Sequence, residues 1–434
     1  HPEHLDQSRP VPLDAGGVVD GSPIPAERGG AMKLCIAGKH RIAVDGLRLA
    51  LSRLDRAQVL VCPNADDDGH SRWQPSLRRH ATELGVSIMS LDEVARIPDL
   101  LFLSLEFDRV LRPAAFTSTR LFNLHFSKLP AYRGVYTSAW PILNDDAESG
   151  VTLHRIDAGI DSGDIVAQCS FRLSAAETAR SLYHRYLAEA ATLLHAQFDA
   201  VLADTVSGRP QSTKDATSHA RSSIDYAHLS LDLDQNTAAL DRQVRAYSFR
   251  EFQLPQLGGM AVAGVQRHTQ RPSGPPGTIL RQDDDGVWVA TRDGDAWAMR
   301  DRSLDLLRLT DAGEHAAIAR AAALSEFVDV VGRSGRTPLM IAAGRGDTRS
   351  CKALLSLGAN VDHPDCDGTT ALRHAADHGQ RSGDFSACVL LLDHGADRDR
   401  VDAFGISVID RCARDGQNRA VAFLCAGRAG AGSG

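Results

Sequence analysis

The reading of this chain starts from Leu121-Phe-Asn-Leu-His125-Phe-Ser-Lys-Leu-Pro130-Ala-Tyr-Arg-Gly134. Its first six residues have the character of a buried strand, and the two polar members, Asn123 and His125, are two apart and share one face. The Leu129–Gly134 segment reads as a loop. Outward from it, short apolar runs at 33–37, 57–62, 86–91, 100–105, 150–156 and 164–171 alternate with helical patterns near 42–54, 75–84 and 136–144. That alternation predicts a mostly parallel, doubly wound α/β sheet. A long helix is expected over 175–203, opened by a capping box at Ser174 and Glu177. Ala179, Leu182, Tyr186, Ala190, Leu193, Leu194 and Val201 form its apolar face.

Four regions follow. Residues 1–31 are rich in Pro, Gly and Asp, lack an apolar h-region and are expected to be a disordered extension ahead of Met32. Residues 32–210 make the α/β domain. A polar stretch at 204–221 reads as a linker, and 211–310 as a small β-rich subdomain with a hairpin, Gly286–Ala290 and Asp295–Met299, around a Thr-Arg-Asp-Gly turn. In the last region, 311–428, Gly335-Arg-Thr-Pro-Leu339 returns 33 residues later as Gly368-Thr-Thr-Ala-Leu372, with a weaker copy at Gly405-Ile-Ser-Val-Ile409. This resembles ankyrin repeats. About four extra residues interrupt the second unit near 380–384, and the helical segment 313–331 is expected to cap the stack.

Composition narrows the function. A net charge of −7 with no long Lys/Arg run argues against nucleic-acid binding. No apolar run approaches a membrane span. The eight cysteines form no C-x-x-C pair. They read as reduced, buried small hydrophobes of a cytoplasmic protein, with no metal site.

A second segment carries chemistry: Gly150-Val-Thr-Leu-His154, then Ile156-Asp-Ala-Gly-Ile160-Asp161-Ser-Gly-Asp164, with His125 and Asp161 36 residues apart. N-x-H on a strand, L-P-x-x-x-G, G-V-T and this acidic loop in order resemble the signature of 10-formyltetrahydrofolate-dependent transferases and hydrolases. The resemblance covers about 33–210 well and 211–310 loosely. Formyl transfer to an amine builds a tetrahedral centre with a developing oxyanion. The Asn123 amide is suited to meet it, His125 to take the amine's proton, and Asp161 to fix the His tautomer and assist proton movement. His154 reads as a pocket-lining residue rather than a catalytic one, and His40 as a residue near the cleft.

By position, the resemblance implies a folate cleft formed by Ser104, Leu105, Glu106 and Phe107 and by Ile156, Asp157 and Ile160. The acceptor is harder to read. Arg133-Gly-Val-Tyr136-Thr-Ser-Ala-Trp140 and Val244–Arg250 resemble the nucleotide-sugar N-formyltransferases, some of which carry ankyrin repeats. That implies substrate contacts at Tyr132, Arg133, Tyr136, Arg245 and Tyr247, with Arg250 facing a pyrophosphate and Phe249 an alternative base-stacking ring. The expected reaction is formylation of a nucleotide-linked, dTDP-type amino sugar in polysaccharide synthesis. Another small amine, methionyl-tRNA, and a non-catalytic ankyrin scaffold are the alternatives. The resemblance also implies a homodimer and a protein or nucleotide ligand on the ankyrin module.

Overall fold

A computed structural model describes residues 32–324 and 328–426. The expected extension at 1–31 lies outside the described residues. The α/β domain runs β1 (Lys33–Gly38), α1 (His40–Leu51), β2 (Val59–Pro63), α2 (Leu77–Leu84), β3 (Ser87–Ile88), α3 (Leu91–Val94), β4 (Leu100–Leu105) and β5 (Arg120–His125). It continues with β6 (Arg133–Gly134), α4 (Trp140–Leu143), β7 (Glu148–Arg155), β8 (Ile165–Arg172) and α5 (Ala179–Leu202). The seven-stranded sheet has the order β3-β2-β1-β4-β5-β7-β8. The first five strands are parallel, and β7 and β8 are antiparallel additions.

The apolar runs explain the sheet. Leu34, Cys35, Ile36 and Ala37 are all fully buried, as a strand covered on both faces requires. On one face Ile36, Leu103 and Leu124 pack with Leu47 of α1 and with Leu182, Tyr186 and Leu194 of α5. On the other, Cys35, Leu60, Phe102 and Leu121 form a smaller core. Chain order reverses between β1 and β4, and the crevice at such a switch point is where open α/β sheets take ligands.

Three details depart from expectation. Helix α5 begins at Ala179 because Thr178, in extended backbone, caps it by accepting from Ser181 N. The expected Ser174–Glu177 pair only shapes the preceding turn. The strand expected at 86–91 is two residues long, because Ser90 and Glu93 form a capping box that draws Leu91–Val94 into a helix. The polar stretch 204–221 is no free linker: Arg209 bridges to Ile165, and β9 (Ser218–His219) pairs with β6.

Next come α6 (Thr237–Tyr247) and an antiparallel sheet of β10 (Gln256–Leu257), β11 (Met260–Arg267), β12 (Ile279–Gln282), β13 (Gly286–Thr291) and β14 (Gly294–Arg300). The expected hairpin is β13–β14, with Trp288 opposite Trp297. Two helices, α7 (Asp305–Ala312) and α8 (His315–Leu324), precede three helix pairs: α9 (Pro338–Gly344) with α10 (Thr348–Ser356), α11 (Ala371–Ser382) with α12 (Ser386–Asp393), and α13 (Val408–Arg414) with α14 (Asn418–Ala426). Thr337 and Ser407 cap the first helices of their units, as their repeat positions predict. The extra residues of the second unit lengthen α11 to 12 residues, against 7 in α9.

The turns between repeats fold back onto the α/β domain. Asp367 receives Arg79 at 2.9 Å and His80 at 3.1 Å, with His80 and Asp367 both buried. Arg411 reaches Glu83 at 3.1 Å, Arg48 donates to Ala403 O at 2.7 Å, and the Cys366 thiol donates to Arg72 O at 3.1 Å. The repeat module is therefore built into the framework of the α/β domain.

Candidate active site

Strand pairing places the central residues. Asn123 and His125 lie two apart on β5, and antiparallel β7 sets His154 directly beside Asn123. The loop 156–164 then returns Asp161 to the same spot. Asp161 sits in the left-handed region with φ of 50°, and its Oδ2 accepts the Gly134 N–H at 2.9 Å. Gln211 holds the loop from behind. Its amide donates to Asp161 O and Gly163 O at 2.8 and 2.7 Å, while its Oε1 accepts from Arg133.

The hydrogen bonds settle which atom carries which proton. His154 Nδ1 lies 2.8 Å from Arg155 O, which can only accept, so Nδ1 carries hydrogen and Nε2 of the neutral ring is an acceptor. Asn123 Nδ2 donates to His154 Nε2 at 3.1 Å and to Asp161 Oδ1 at 3.0 Å. Both Asn123 amide hydrogens are thereby engaged. His125 donates Nε2–H to Tyr132 O at 2.8 Å. Its Nδ1, the basic atom of the neutral ring, then faces Asp161 Oδ2 at 3.6 Å. Burial alone pushes the Asp161 carboxyl up, but His125, His154 and the Gly134 N–H outweigh it and hold the group well below the usual carboxylate range. The site is thus an anion held among two imidazoles, the Asn123 amide and the Gly134 N–H.

Asn123, His125 and Asp161 therefore converge, and His154 joins them. His154 read from the sequence as a pocket wall. Its position one pair across from Asn123 in an antiparallel strand was the available signal. Gln211 was missed because it falls in a featureless polar stretch.

The expected substrate contacts divide. Tyr132 contributes its carbonyl to His125, while its hydroxyl donates to Asp146 and accepts from Asn144. Arg133 is spent on Gln211 and so positions the Asp161 loop. Arg245 is tied to Asp241 at 2.7 Å and to Glu177 O at 2.9 Å, which fastens α6 to the start of α5. Tyr136 and Tyr247 are brought together through Tyr226, at ring distances of 4.9 and 6.2 Å.

The expected folate loops also divide. Ile160 is 57% exposed, and the Asp157 carboxylate shapes its loop by accepting from Gly159 N and Ser162 Oγ. Ile156 packs into the smaller core, as Phe107 does beside Phe102. Leu105 is fully buried in the larger core and Ser104 is 5% exposed. Glu106, with φ of 58°, leaves the strand alternation and turns its carboxylate to Tyr183 of α5. Asp108, just beyond Phe107, has a buried Oδ1 with no partner among the described residues. Among the described residues there is no metal-binding group of His, Cys, Asp and Glu, and no helix long and apolar enough to cross a membrane.

A parallel sheet whose strand-end crevice holds Asn, His and Asp in this arrangement defines a class of group-transfer enzymes acting on an amine. Comparison with known proteins agrees. The formyl transferase family model matches residues 95–197, and an ankyrin-repeat model of three copies matches 306–402. The methionyl-tRNA formyltransferase of Bordetella parapertussis is 32% identical over 272 residues, covering 60% of this chain and 83% of that protein. That of Halorhodospira halophila is 29% identical over 299 residues, covering 65% and 93%. Two solved structures align at 34% identity. One is the N-formyltransferase from Helicobacter canadensis in complex with folinic acid and dTDP-3-aminofucose, with a TM-score of 0.57 and coverage of 62% of this chain and 100% of that one. The other is WlaRD, a sugar 3N-formyl transferase in the presence of dTDP and 5-N-formyl-THF, with 0.58, 63% and 98%. The chain belongs to the formyl transferase family and is a folate-dependent N-formyltransferase.

Proposed function

We propose that this enzyme transfers a formyl group from 10-formyltetrahydrofolate to the amine of a nucleotide-linked amino sugar, with dTDP as the nucleotide. The observation that carries this reading is the 34% identity to two sugar N-formyltransferase structures over 98–100% of their chains. Methionyl-tRNA is disfavoured by the net charge of −7, since tRNA affinity comes mainly from clustered Lys and Arg.

The folate supplies the formyl carbon and, after transfer, a nitrogen that needs a proton. The residues do the rest. His125 takes the acceptor amine's proton at Nδ1, because Nε2–H is held by Tyr132 O. The resulting imidazolium lies against the Asp161 carboxylate, and the same atom returns the proton to the leaving nitrogen. Asn123 donates to the developing oxyanion with the hydrogen now held by His154 Nε2. A neutral ring nitrogen is the weaker of its two acceptors, and an oxyanion outcompetes it. Gly134 N–H and Gln211 keep Asp161 in place throughout.

The ankyrin module is read as a nucleotide-binding rather than a protein-binding element. A cavity of about 550 Å3 between its helices and the Arg250–Phe252 turn is lined by Arg250, Arg308, Arg333, Arg336, Arg345 and Arg381, against three carboxylates. Such a lining favours a phosphorylated ligand.

Purified enzyme incubated with 10-formyltetrahydrofolate and a panel of dTDP- and UDP-amino sugars, with methionyl-tRNA in parallel, tests the reading by chromatography and mass spectrometry. Gain of one CO on a dTDP-amino sugar, absent with His125→Ala, is expected. Gain on methionyl-tRNA alone overturns the sugar assignment.

A further inference from the structure

A second polar cluster stands at the switch point of the sheet, outside the Asn123–His125–Asp161 group. His40 follows β1 and Glu106 follows β4, both with left-handed backbone, at φ of 64° and 58°. Tyr183 of α5 donates its hydroxyl to both Glu106 oxygens, at 2.8 and 3.0 Å. His40 Nδ1 lies 3.3 Å from that hydroxyl and 3.5 Å from Glu106 Oε2. Asn64, wholly buried at the end of β2, gives its amide to Glu106 O at 3.0 Å, and its Oδ1 has no partner among the described residues. The cluster is partly open: the side chains of His40 and Glu106 are 22% and 19% exposed.

Its position is informative. Leu105 pairs with Leu124 in parallel register, so Glu106 and His125 are the next residues on adjacent strands, about 5 Å apart in the backbone. Phe126, directly after His125, packs on Tyr183 at 6.0 Å. On its outer side Trp73 closes the cluster. Its ring lies 5.7 Å from His40, 5.8 Å from Tyr183 and 5.4 Å from Phe249. A carboxylate with spare lone pairs, an imidazole and an indole wall, one strand from the proton-accepting histidine, are the groups that bind a polyhydroxylated ring.

We propose that Glu106, oriented by Tyr183 and His40, accepts a hydrogen bond from the sugar hydroxyl next to the reacting amine and so reads the configuration of that carbon. This rests on the amino-sugar reading above. Tyr183 keeps its hydroxyl proton because burial, and then the Glu106 charge, push it well above its ordinary range. Its hydroxyl is spent on the carboxylate, whose remaining lone pairs are left for the substrate. An epimer that points the hydroxyl elsewhere forfeits that bond and leaves the carboxylate with its Tyr183 contact. A charge-assisted bond of this kind supports a discrimination of roughly 10- to 100-fold.

The test compares kcat/KM for dTDP-3-aminofucose and its C4 epimer in wild type, Glu106→Gln and Tyr183→Phe, with thermal melting of each protein. The wild type is expected to prefer one epimer by roughly 10- to 100-fold. In Glu106→Gln that ratio should collapse towards 1, and Tyr183→Phe, which frees the carboxylate to turn, should reduce it less. A merely structural Glu106 would lower both rates and leave the ratio intact, which overturns the proposal, as does a wild type indifferent to the epimers. Failure of the wild type to formylate either sugar sinks the amino-sugar reading itself and is distinguished by that.

Discussion

Replacing Asp161 by Asn tests the proton assignments at the catalytic centre. Asp161 Oδ2 lies 3.6 Å from His125 Nδ1. At an effective dielectric of ~20 a full charge there gains about 4–5 kcal/mol from the carboxylate. With half the charge developed at the transition state, the loss is about 2 kcal/mol, or ~30-fold. A second cost is geometric. Asp161 accepts from Asn123 Nδ2 on one oxygen and from Gly134 N on the other. An Asn side chain has one oxygen, so whichever way it turns, its NH2 faces a donor, at ~1–3 kcal/mol or about 10- to 100-fold. Together these predict a fall in kcat of roughly 300- to 3000-fold, with binding of 5-formyltetrahydrofolate, measured by calorimetry, nearly unchanged. A variant within tenfold of wild type in kcat, or one whose defect lies in folate affinity, would show that Asp161 is not the partner of the His125 proton.

Two further predictions concern stability. Gly335→Ala places a Cβ 1.9 Å from Arg72 O at a residue with φ of 77°, so the ankyrin turn and the loop carrying Trp73 cannot both stay where they are. The expected cost is ~2–3 kcal/mol in chemical denaturation, with a raised KM for the acceptor. Gly395→Ala, at φ of 86° with nothing within 4 Å, is the control and should cost only ~1 kcal/mol with KM unchanged. Burial, and then Arg180 and Arg250, lower His184 to about 4, while burial and Arg336 lower His374 to about 4. Both values are depressed in the folded state, so the unfolded chain binds more protons below pH ~6.5 and stability falls as pH drops towards 4. His184→Gln and His374→Gln should each flatten that slope in melts run from pH 7 to 5. Asp161 acts in the other window: its contribution is present above the usual carboxylate value and is lost only below about pH 4.

The sequence by itself determined what depends on local chemistry and spacing along the chain. Apolar runs such as Lys33–Gly38, too short for helices and buried on both faces, specify parallel strands. The two-residue step from Asn123 to His125 fixes a shared face, and the 33-residue recurrence of Gly335-Arg-Thr-Pro specifies stacked helix pairs. Only the tertiary structure decided what depends on which distant residues meet. Glu106 was legible as a residue after the fourth strand, but that its positive φ turns its carboxylate to Tyr183, 77 residues away, was not. Gln211 sat in an undistinguished polar run until the chain brought it behind Asp161. The bonds of Arg245 to Asp241 and Glu177 O, which tie α6 to the start of α5, were likewise invisible in the sequence. The ankyrin repeats were plain from their period, yet their turns lock onto α2 through a buried Asp367–His80 pair that no periodicity encodes. Strand and helix patterns are written in nearest neighbours, whereas the direction of a polar side chain is set by whichever partner folding delivers to it.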